Sequence, residues 1–117
     1  MNSYKDLDVY NRAIELSVHI YRITESFPKS ELYGLVSQIR RCTVSIPSNI
    51  AEGQKRGHKL EYIQFLRIAL GSGAELETQL LIAQRIGFLT ERDYQELNNE
   101  LQIIMRMLSR LITALSK

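Results

Sequence analysis

Few side chains in this sequence have the types and spacing that catalysis or metal binding requires. The two histidines, His19 and His58, lie in different segments without carboxylates at ligand spacing, and no Glu-x-x-His pair of a di-iron bundle is present. The single cysteine, Cys42, excludes an intrachain disulfide and a multi-cysteine zinc site, and on a helix it is typical of a small buried hydrophobe. Neither a phosphate-binding loop nor a dinucleotide fingerprint occurs. The sequence therefore predicts a protein that is not an enzyme and that uses no metal or cofactor.

The acidic pair Glu75 and Glu77 does not change this prediction. Residues two apart on a helix point to different faces, so the two carboxylates cannot act as one catalytic pair. We expect one of them to bond across the molecule to Arg40 or Arg67, in a structural role.

Positive charge is concentrated in the middle of the chain. Residues 38–67 contain six cations and two acids, a local balance of +4, whereas the rest of the chain has a balance of −2. The six cations are Arg40, Arg41, Lys55, Arg56, Lys59 and Arg67. A basic stretch in a chain of net charge +2 is typical of a surface that binds an anionic partner such as the phosphates of RNA or DNA, and His58 lies in the same stretch. The alternative is that these side chains are solvated helix faces and an exposed turn.

The elements that position these residues are helices. The length of 117 residues suits one domain over residues 1–117, and apolar residues recur at steps of three and four in segments at about 5–26, 31–56, 59–86 and 91–115. Short connections favour an all-α, antiparallel, up-and-down four-helix bundle. In the first segment the predicted buried stripe is Leu7, Tyr10, Ile14, Ser17 and Tyr21. In the fourth it is Tyr94, Leu97, Leu101, Ile104, Leu108, Leu111 and Leu115.

Local signals predict where these helices begin, end and bend. Ser30 is placed to cap the second helix and Thr90 the fourth. Pro47 has no amide proton for the carbonyl group of Thr43, so the second helix should kink or break there. Gly87 is typical of a helix stop.

Apolar residues outside the main stripes bear on assembly and location. Val9, Val18 and Ile23 in the first helix, like Ile103, Met105, Met107 and Ile112 in the fourth, widen the apolar surface beyond one stripe per helix. This favours contact with another subunit, and a broad core stripe is the alternative. The polar start of the chain and the lack of an apolar run of about 20 residues predict a soluble, cytoplasmic protein without a membrane segment.

Three blocks of sequence resemble a known family. They are residues 34–41 (GLVSQIRR) continuing through 45–53 (SIPSNIAEG), residues 65–72 (FLRIALGS) with 75–80 (ELETQL), and the opening residues 4–10 (YKDLDVY). Together they resemble the four-helix bundle proteins encoded in 23S rRNA intervening sequences.

The resemblance implies a bundle with a proline inside its second helix. It also implies a homopentamer, as in the related accessory variability determinants of diversity-generating retroelements, which use a basic surface to engage nucleic acid and a reverse transcriptase. Arg40, Arg41 and Arg67 match basic positions of the family pattern, whereas Lys55, Arg56 and Lys59 fall in a junction whose basic character is typical of the family.

The signature residues Ser45, Pro47, Asn49 and Glu52 have two interpretations. They contact a ligand, or they serve the bent helix, with Asn49 or Ser48 satisfying the groups that Pro47 leaves without a partner.

Two functional hypotheses follow from the sequence. The first is an oligomeric accessory protein that binds RNA or DNA phosphates without base specificity, since neither a recognition helix nor an aromatic stacking platform is evident. The second is a protein-interaction scaffold in which Arg40 and Arg41 form ion pairs between subunits.

Overall fold

Four α-helices make up the protein, and the computed structural model describes them within residues 3–117. The helices are α1 (Asp8–Thr24), α2 (Leu35–Lys55), α3 (Lys59–Arg85) and α4 (Glu91–Leu115). Short 3-10 turns at Tyr4–Asp6 and Lys29–Glu31 precede α1 and α2. No strand occurs in the described residues, so the predicted all-α, four-helix class is confirmed. Residues 1 and 2, part of the predicted domain 1–117, lie outside the described residues.

Each helix packs against two others, in the closed order α1, α2, α3, α4 and back to α1. Three contacts show how helix ends meet. Arg40, early in α2, bonds to Thr24 at the end of α1, and Lys59, the first residue of α3, bonds to Lys117 just beyond α4. Phe27 and Phe88, in the connections after α1 and α3, have ring centroids 5.8 Å apart. These contacts agree with the antiparallel arrangement, which stays a prediction.

The buried stripe of α1 differs from the predicted one. Val9, Ala13, Leu16, Ser17, Ile20 and Thr24 are buried. Ile14 and Tyr21, which were predicted to be buried, are exposed. Apolar residues occupy two adjacent stripes of this helix, and its packing against both α2 and α4 decides which one is covered.

The start of α2 corrects a second prediction. Ser30 does not cap this helix, because it lies in the 3-10 turn and the residue before α2 is Gly34. Glu31 takes the capping role, since its Oε1 accepts a hydrogen bond from the amide of Leu35 at 3.3 Å. A carboxylate there is also favoured by the positive end of the helix dipole.

Pro47 lies inside α2 without breaking it, because the helix continues from Leu35 to Lys55. The predicted break is therefore wrong, and the predicted kink stays a prediction. Pro47 has no amide proton to donate to the carbonyl group of Thr43, and this carbonyl group has a hydrogen-bond partner on another helix. The hydroxyl of Ser17 in α1 donates to it at 3.2 Å.

The ends of α3 and α4 match their sequence signals. Gly57, between α2 and α3, has a φ of 77°, and Gly87, just after α3, has a φ of 87°. Both are in the left-handed conformation that glycine adopts without strain, which ends a helix. The Thr90 side chain accepts a hydrogen bond from the amide of Asp93, so the predicted cap of α4 is confirmed. In α4 the predicted residues Leu97, Leu101, Ile104 and Leu108 are buried, and the next buried residue is Ile112 in place of the predicted Leu111.

Two glycines allow the helices to approach closely. A methyl group on Gly53 of α2 would lie 2.6 Å from Cβ of Phe65 in α3. One on Gly73 of α3 would lie 3.1 Å from Cγ of Met105 in α4. Both distances are shorter than ordinary carbon contacts, so the α2–α3 and α3–α4 spacings depend on these missing side chains.

Candidate nucleic-acid interface

The six basic residues predicted from the sequence do not form one patch. Arg40 and Arg41 lie in the first two turns of α2, whereas Lys55 lies at its end, about 21 Å along the helix axis from Arg41. Arg56, Lys59 and Arg67 continue from that end into α3. Arg40 and Arg41 therefore belong to one end of α2, and the other four to the junction between α2 and α3.

Arg40 is engaged in holding α2 against α1. Its Nε donates to Oγ1 of Thr24 at 3.0 Å and its Nη2 donates to the carbonyl oxygen of Tyr21 at 3.3 Å. Its guanidinium carbon lies 4.5 Å from the centre of the Tyr21 ring, within the range of a cation–π interaction. These contacts give Arg40 a structural role.

Arg56 is similarly occupied by neighbours within the chain. It donates to Glu52 at 2.8 Å and to Glu61 at 3.3 Å, and its guanidinium carbon lies 4.9 Å from the centre of the Phe65 ring. Its hydrogen bonds to these two carboxylates raise the pKa of Arg56 above its usual value. Arg56 therefore bridges the end of α2 and the start of α3, and its charge is largely compensated.

The remaining cations of the junction are differently placed. Lys55, Lys59 and Arg67 are exposed, and none forms an ion pair with another residue of the described chain. Lys59 donates from Nζ to the carbonyl oxygen of Lys117 at 3.2 Å, which brings the end of the chain to the start of α3. We call Lys55, Lys59 and Arg67 the junction cations. Arg41 is also exposed without an ion pair, but it lies away from them.

The chain positions that were considered for catalysis are separated in space. His19 Nδ1 lies 3.3 Å from Oε1 of Glu100 across α1 and α4, as an exposed pair. His58 precedes α3 and is exposed. Within residues 3–117, no three His, Cys, Asp or Glu side chains come together as metal ligands would. No helix of the described residues is long and apolar enough to cross a membrane.

Cys42 lies in the core, as its position in the helix predicts, with 6% of its surface exposed. Burial, and to a lesser extent the nearby carboxylate of Glu75, raises the pKa of the Cys42 thiol from 9.0 to about 11. The reactive thiolate form is therefore scarce at neutral pH.

The expected bonds between the acidic pair and the arginines do not form. Glu75 accepts a hydrogen bond from Gln79 one turn further along α3. Glu77 accepts one from Gln102 of α4. The prediction of a bond to Arg40 or Arg67 is wrong, because helical geometry directs Glu77 to α4 whereas Arg40 lies against α1.

Comparison with known proteins places the chain in a family. A family model described as 23S rRNA-intervening sequence protein matches residues 5–110. The chain belongs to this family. Its structure is similar to the crystal structure of a protein of unknown function from the S23 ribosomal protein family of Bacteroides thetaiotaomicron VPI-5482. That similarity has a TM-score of 0.83 at 26% identity and covers 90% of this chain and 95% of the other. No curated protein matches the chain.

In this intervening-sequence protein, the signature residues of α2 make internal hydrogen bonds. Asn49 donates from Nδ2 to the carbonyl oxygen of Ser45 at 2.7 Å and lies 2.9 Å from the Ser45 hydroxyl. That hydroxyl also lies 2.9 Å from the hydroxyl of Ser72 in α3. Asn49 therefore serves Ser45, and the carbonyl group freed by Pro47 is satisfied by Ser17 instead. These contacts support the structural interpretation of the signature.

An open apolar groove of about 480 Å³ runs between α1 and α2 of the intervening-sequence protein. Ile14, Val18, Tyr21 and Val44 line it and are each about 40% exposed. Of the residues that the sequence marked as surplus apolar surface, Val9 and Ile112 are buried in the core, whereas Val18 lines this groove.

The sequence pattern missed three cations of the second half of α4 and the residues after it, one of which, Lys117, lies at the junction. Arg106, Arg110 and Lys117 are exposed, and Lys117 contacts Lys59. A signal was present, because residues 101–117 contain these three cations and no acid. These cations were missed because more than thirty residues lie between Arg67, the last cation of the basic stretch, and Arg106.

Proposed function

We propose that this intervening-sequence protein is a non-enzymatic, oligomeric accessory protein of the cytoplasm that binds the phosphates of RNA or DNA. The observation behind the proposal concerns the junction cations. Lys55 and Lys59 are exposed where α2 ends and α3 begins, and Arg67 is exposed about 12 Å further along α3. None of the three has an acidic partner among the described residues. A cation without a carboxylate partner releases counterions from a phosphate backbone when it binds, which is the main source of non-specific affinity.

The division among the six predicted cations sharpens this proposal. Arg40 and Arg56 already have partners within the chain, so binding a phosphate would cost them existing contacts. Lys55 and Arg67 have no such cost among the described residues, and Lys59 would give up only its bond to the carbonyl oxygen of Lys117. We therefore attribute phosphate binding to the junction cations, with Arg41 as a separate and weaker contributor.

Oligomerisation is the second part of the proposal. The groove lined by Ile14, Val18, Tyr21 and Val44 is an apolar surface that a second copy of the chain would cover. A pentamer, as in the accessory variability determinants that the family resembles, would repeat the junction cations five times and raise the overall affinity by multivalency. Light scattering coupled to size-exclusion chromatography tests the subunit count directly.

A protein-interaction scaffold is the alternative function, and a specific observation favours it. Leu32 and Tyr33 are exposed in the connection before α2, and 93% of the Tyr33 surface is accessible. Exposed aromatic and aliphatic side chains are common anchors of protein interfaces. Under this alternative the basic residues serve subunit contacts, with Arg40 and Arg41 in ion pairs between subunits.

Fluorescence anisotropy distinguishes the two functions. A labelled RNA hairpin and a labelled DNA duplex are titrated with the protein at salt concentrations from about 50 to 200 mM. The test variant is Lys55→Gln/Lys59→Gln/Arg67→Gln. The control variant, Lys29→Gln/Arg85→Gln/Arg92→Gln, removes the same charge near the far end of α3, about 39 Å from Lys59 to Arg85 along the axis.

The proposal expects binding that weakens steeply with salt and that the junction variant loses much more strongly than the control, while both keep the parent's helicity and oligomeric mass. Equal losses in the two variants would show that only net charge matters. Absence of binding by the parent at the lowest salt would refute nucleic-acid binding and favour the scaffold.

A further inference from the structure

The charge of α4 is divided between its two halves. Residues 91–100 contain four acids and one cation, whereas residues 101–117 contain three cations and no acid. Arg106 and Arg110 lie one helical turn apart and are both exposed, while Leu108 between them is buried. Neither arginine lies in the last turn of α4. The helix dipole therefore does not account for them, since its effect fades within the final turn.

A groove between α3 and α4 continues this basic surface. Arg67 of α3 and Lys117 line it, together with the hydroxyl-bearing residues Ser109, Thr113 and Ser116. Its volume is about 500 Å³ and it is open to solvent. The hydroxyls of Ser109 and Thr113 make no hydrogen bond with other described residues, so both are available to a ligand.

This combination of groups matches what binds a sugar-phosphate backbone. In protein–nucleic acid complexes, phosphate oxygens are contacted mainly by Arg and Lys together with hydroxyl and amide donors. The row from Arg106 to Lys117 is about 16 Å long, which corresponds to roughly five base pairs along a duplex axis. An extended anion fits such a row better than a small one.

The row is also continuous with the junction cations. Arg67 belongs to both surfaces, and Lys59 donates to the carbonyl oxygen of Lys117 at 3.2 Å. A backbone crossing the start of α3 therefore meets the half of α4 that contains no acid. The acids at the junction itself, Glu52 and Glu61, are paired with Arg56.

We infer that the second half of α4 is a nucleic-acid-binding surface, in which Arg106, Arg110 and Lys117 contact phosphates and the groove beside Arg67 seats the backbone. The inference rests on the proposed function and assigns it a surface on a helix outside the basic middle of the sequence.

The test compares three variants of equal charge change in the full chain. Arg106→Gln/Arg110→Gln/Lys117→Gln is the α4 variant, and the junction and far-end variants described above are its comparisons. Each is titrated against the labelled RNA hairpin and DNA duplex over the same salt range. Because each phosphate contact contributes about one unit to the slope of log affinity against log salt, we expect the α4 variant to lower that slope by about 2 to 3. The far-end variant should leave the slope unchanged.

The outcomes separate this inference from the proposed function. Parent-like binding by the α4 variant, with loss in the junction variant, would overturn the α4 surface and leave the proposed function intact. No binding by the parent would overturn both. Vesicles of phosphatidylserine serve as a second probe, and binding to vesicles in place of RNA and DNA would also overturn both. Circular dichroism and light scattering must show that the α4 variant keeps its fold and mass.

The chosen side chains suit that last requirement. Gln has a helix propensity close to that of Arg and Lys, and all three positions are exposed. If the α4 variant nevertheless loses mass or helicity, the single variants Arg106→Gln and Arg110→Gln replace it. Each should then lower the slope by about one unit, and an unchanged slope in both would overturn the inference.

Discussion

The hydroxyl oxygen of Ser17 in α1 lies 3.2 Å from the carbonyl oxygen of Thr43 in α2, the carbonyl that Pro47 leaves without its helical partner. The two side-chain hydroxyls of Ser17 and Thr43 lie 3.0 Å apart, and Ser17 also lies 2.9 Å from the carbonyl oxygen of Ala13. When Thr43 donates to Ser17, the Ser17 proton is left for one of the two carbonyl groups. A proline in the interior of α2 is thus accommodated by a side chain from another helix.

This relationship predicts that Ser17 and Pro47 are energetically coupled. Ser17→Ala should lower the free energy of unfolding by about 1 to 3 kcal/mol, because a buried carbonyl group and the Thr43 hydroxyl lose a partner. In a Pro47→Ala background, residue 47 can donate its amide to Thr43, so the same substitution should cost at least about 0.5 kcal/mol less. Urea denaturation at fixed protein concentration measures the four free energies.

Thr78→Ala is the control for this cycle. The Thr78 hydroxyl also donates to a carbonyl group four residues earlier, that of Ala74, but it is exposed. Water replaces the lost bond there, and the free energy of unfolding should change by no more than about 0.5 kcal/mol. Additive effects of Ser17→Ala and Pro47→Ala would contradict the coupling.

Replacement by alanine should have opposite effects on stability at two glycines that both lie within helices, Gly53 of α2 and Gly71 of α3. Gly53→Ala should destabilise the protein by about 1 to 3 kcal/mol, because its Cβ would lie 2.6 Å from Cβ of Phe65, an atom fixed by the α3 backbone. Gly71→Ala should stabilise it by about 0.5 to 1 kcal/mol, because alanine favours a helix and the added Cβ would meet no described atom within 4 Å outside its own stretch of helix. Thermal denaturation of both variants tests the pair, and a rise in Tm for Gly53→Ala would refute the close α2–α3 approach.

Adjacent arginines of α2 should also differ. Arg40→Ala should cost about 1 to 2 kcal/mol, since it removes the contacts with Thr24 and Tyr21. Arg41→Ala should change the free energy of unfolding by less than about 0.5 kcal/mol, because Arg41 is exposed and unpaired among the described residues. Chemical denaturation supplies both values.

Lysine at position 40 extends this test. Arg40→Lys keeps the charge over the Tyr21 ring but loses the planar donor geometry, so its stability should fall between those of Arg40→Ala and the parent. If instead Arg40→Ala is as stable as the parent but dissociates the oligomer, the arginine serves a subunit contact, as the scaffold hypothesis holds.

The Cys42 thiol should be unreactive and should make stability depend on pH in the alkaline range. Its pKa of about 11 in the folded protein exceeds the ordinary 9.0, so at pH 8 its thiolate fraction is about 100-fold lower than in the unfolded chain. Reaction with a disulfide reagent should be slower than in urea by at least that factor.

The sign of the pH effect follows from the same pair of pKa values. The contribution to stability is complete below pH 9.0, where both states are protonated, and declines as the pH rises from there towards about 11. Cys42→Ala should lack this part of the decline when the two proteins are compared by urea denaturation from pH 8 to 10. Equal pH profiles would show that the thiol is not protected by folding.

Some parts of the fold could be predicted because the signals are local. Thr90 and Gly87 act through backbone groups within a few residues, and the predicted fourth helix, 91–115, matches α4. The start of α2 was mispredicted because Ser30 has the residue type of a cap, whereas the helix begins four residues beyond Glu31 and uses its carboxylate. The 3-10 turn at Lys29–Glu31 decides between them.

The choice of stripe on α1 shows a second kind of error. Ile14 and Ser17 both satisfy a spacing of three or four, yet Ser17 is buried and Ile14 is exposed. Hydropathy alone would bury the isoleucine and expose the serine. Packing of the whole stripe against α2 and α4 decides the outcome. Within that stripe Ser17 is accommodated by its bond to Thr43, which joins residues 26 positions apart and leaves no mark on the local pattern of α1.

The sequence alone determined the helical class, the family resemblance through its α2 and α3 blocks, and the basic character of the stretch from Arg40 to Arg67. These follow from periodicity, from motifs and from composition, which need no knowledge of what lies beside a residue. Only the tertiary structure separated Arg40 and Arg56, which are held by side chains and carbonyl groups of neighbouring segments, from Lys55, Lys59 and Arg67, which form no ion pair among the described residues, and brought Lys117 to Lys59. The physical reason is that a charge acts through space, so its availability depends on contacts between helices that are distant along the chain.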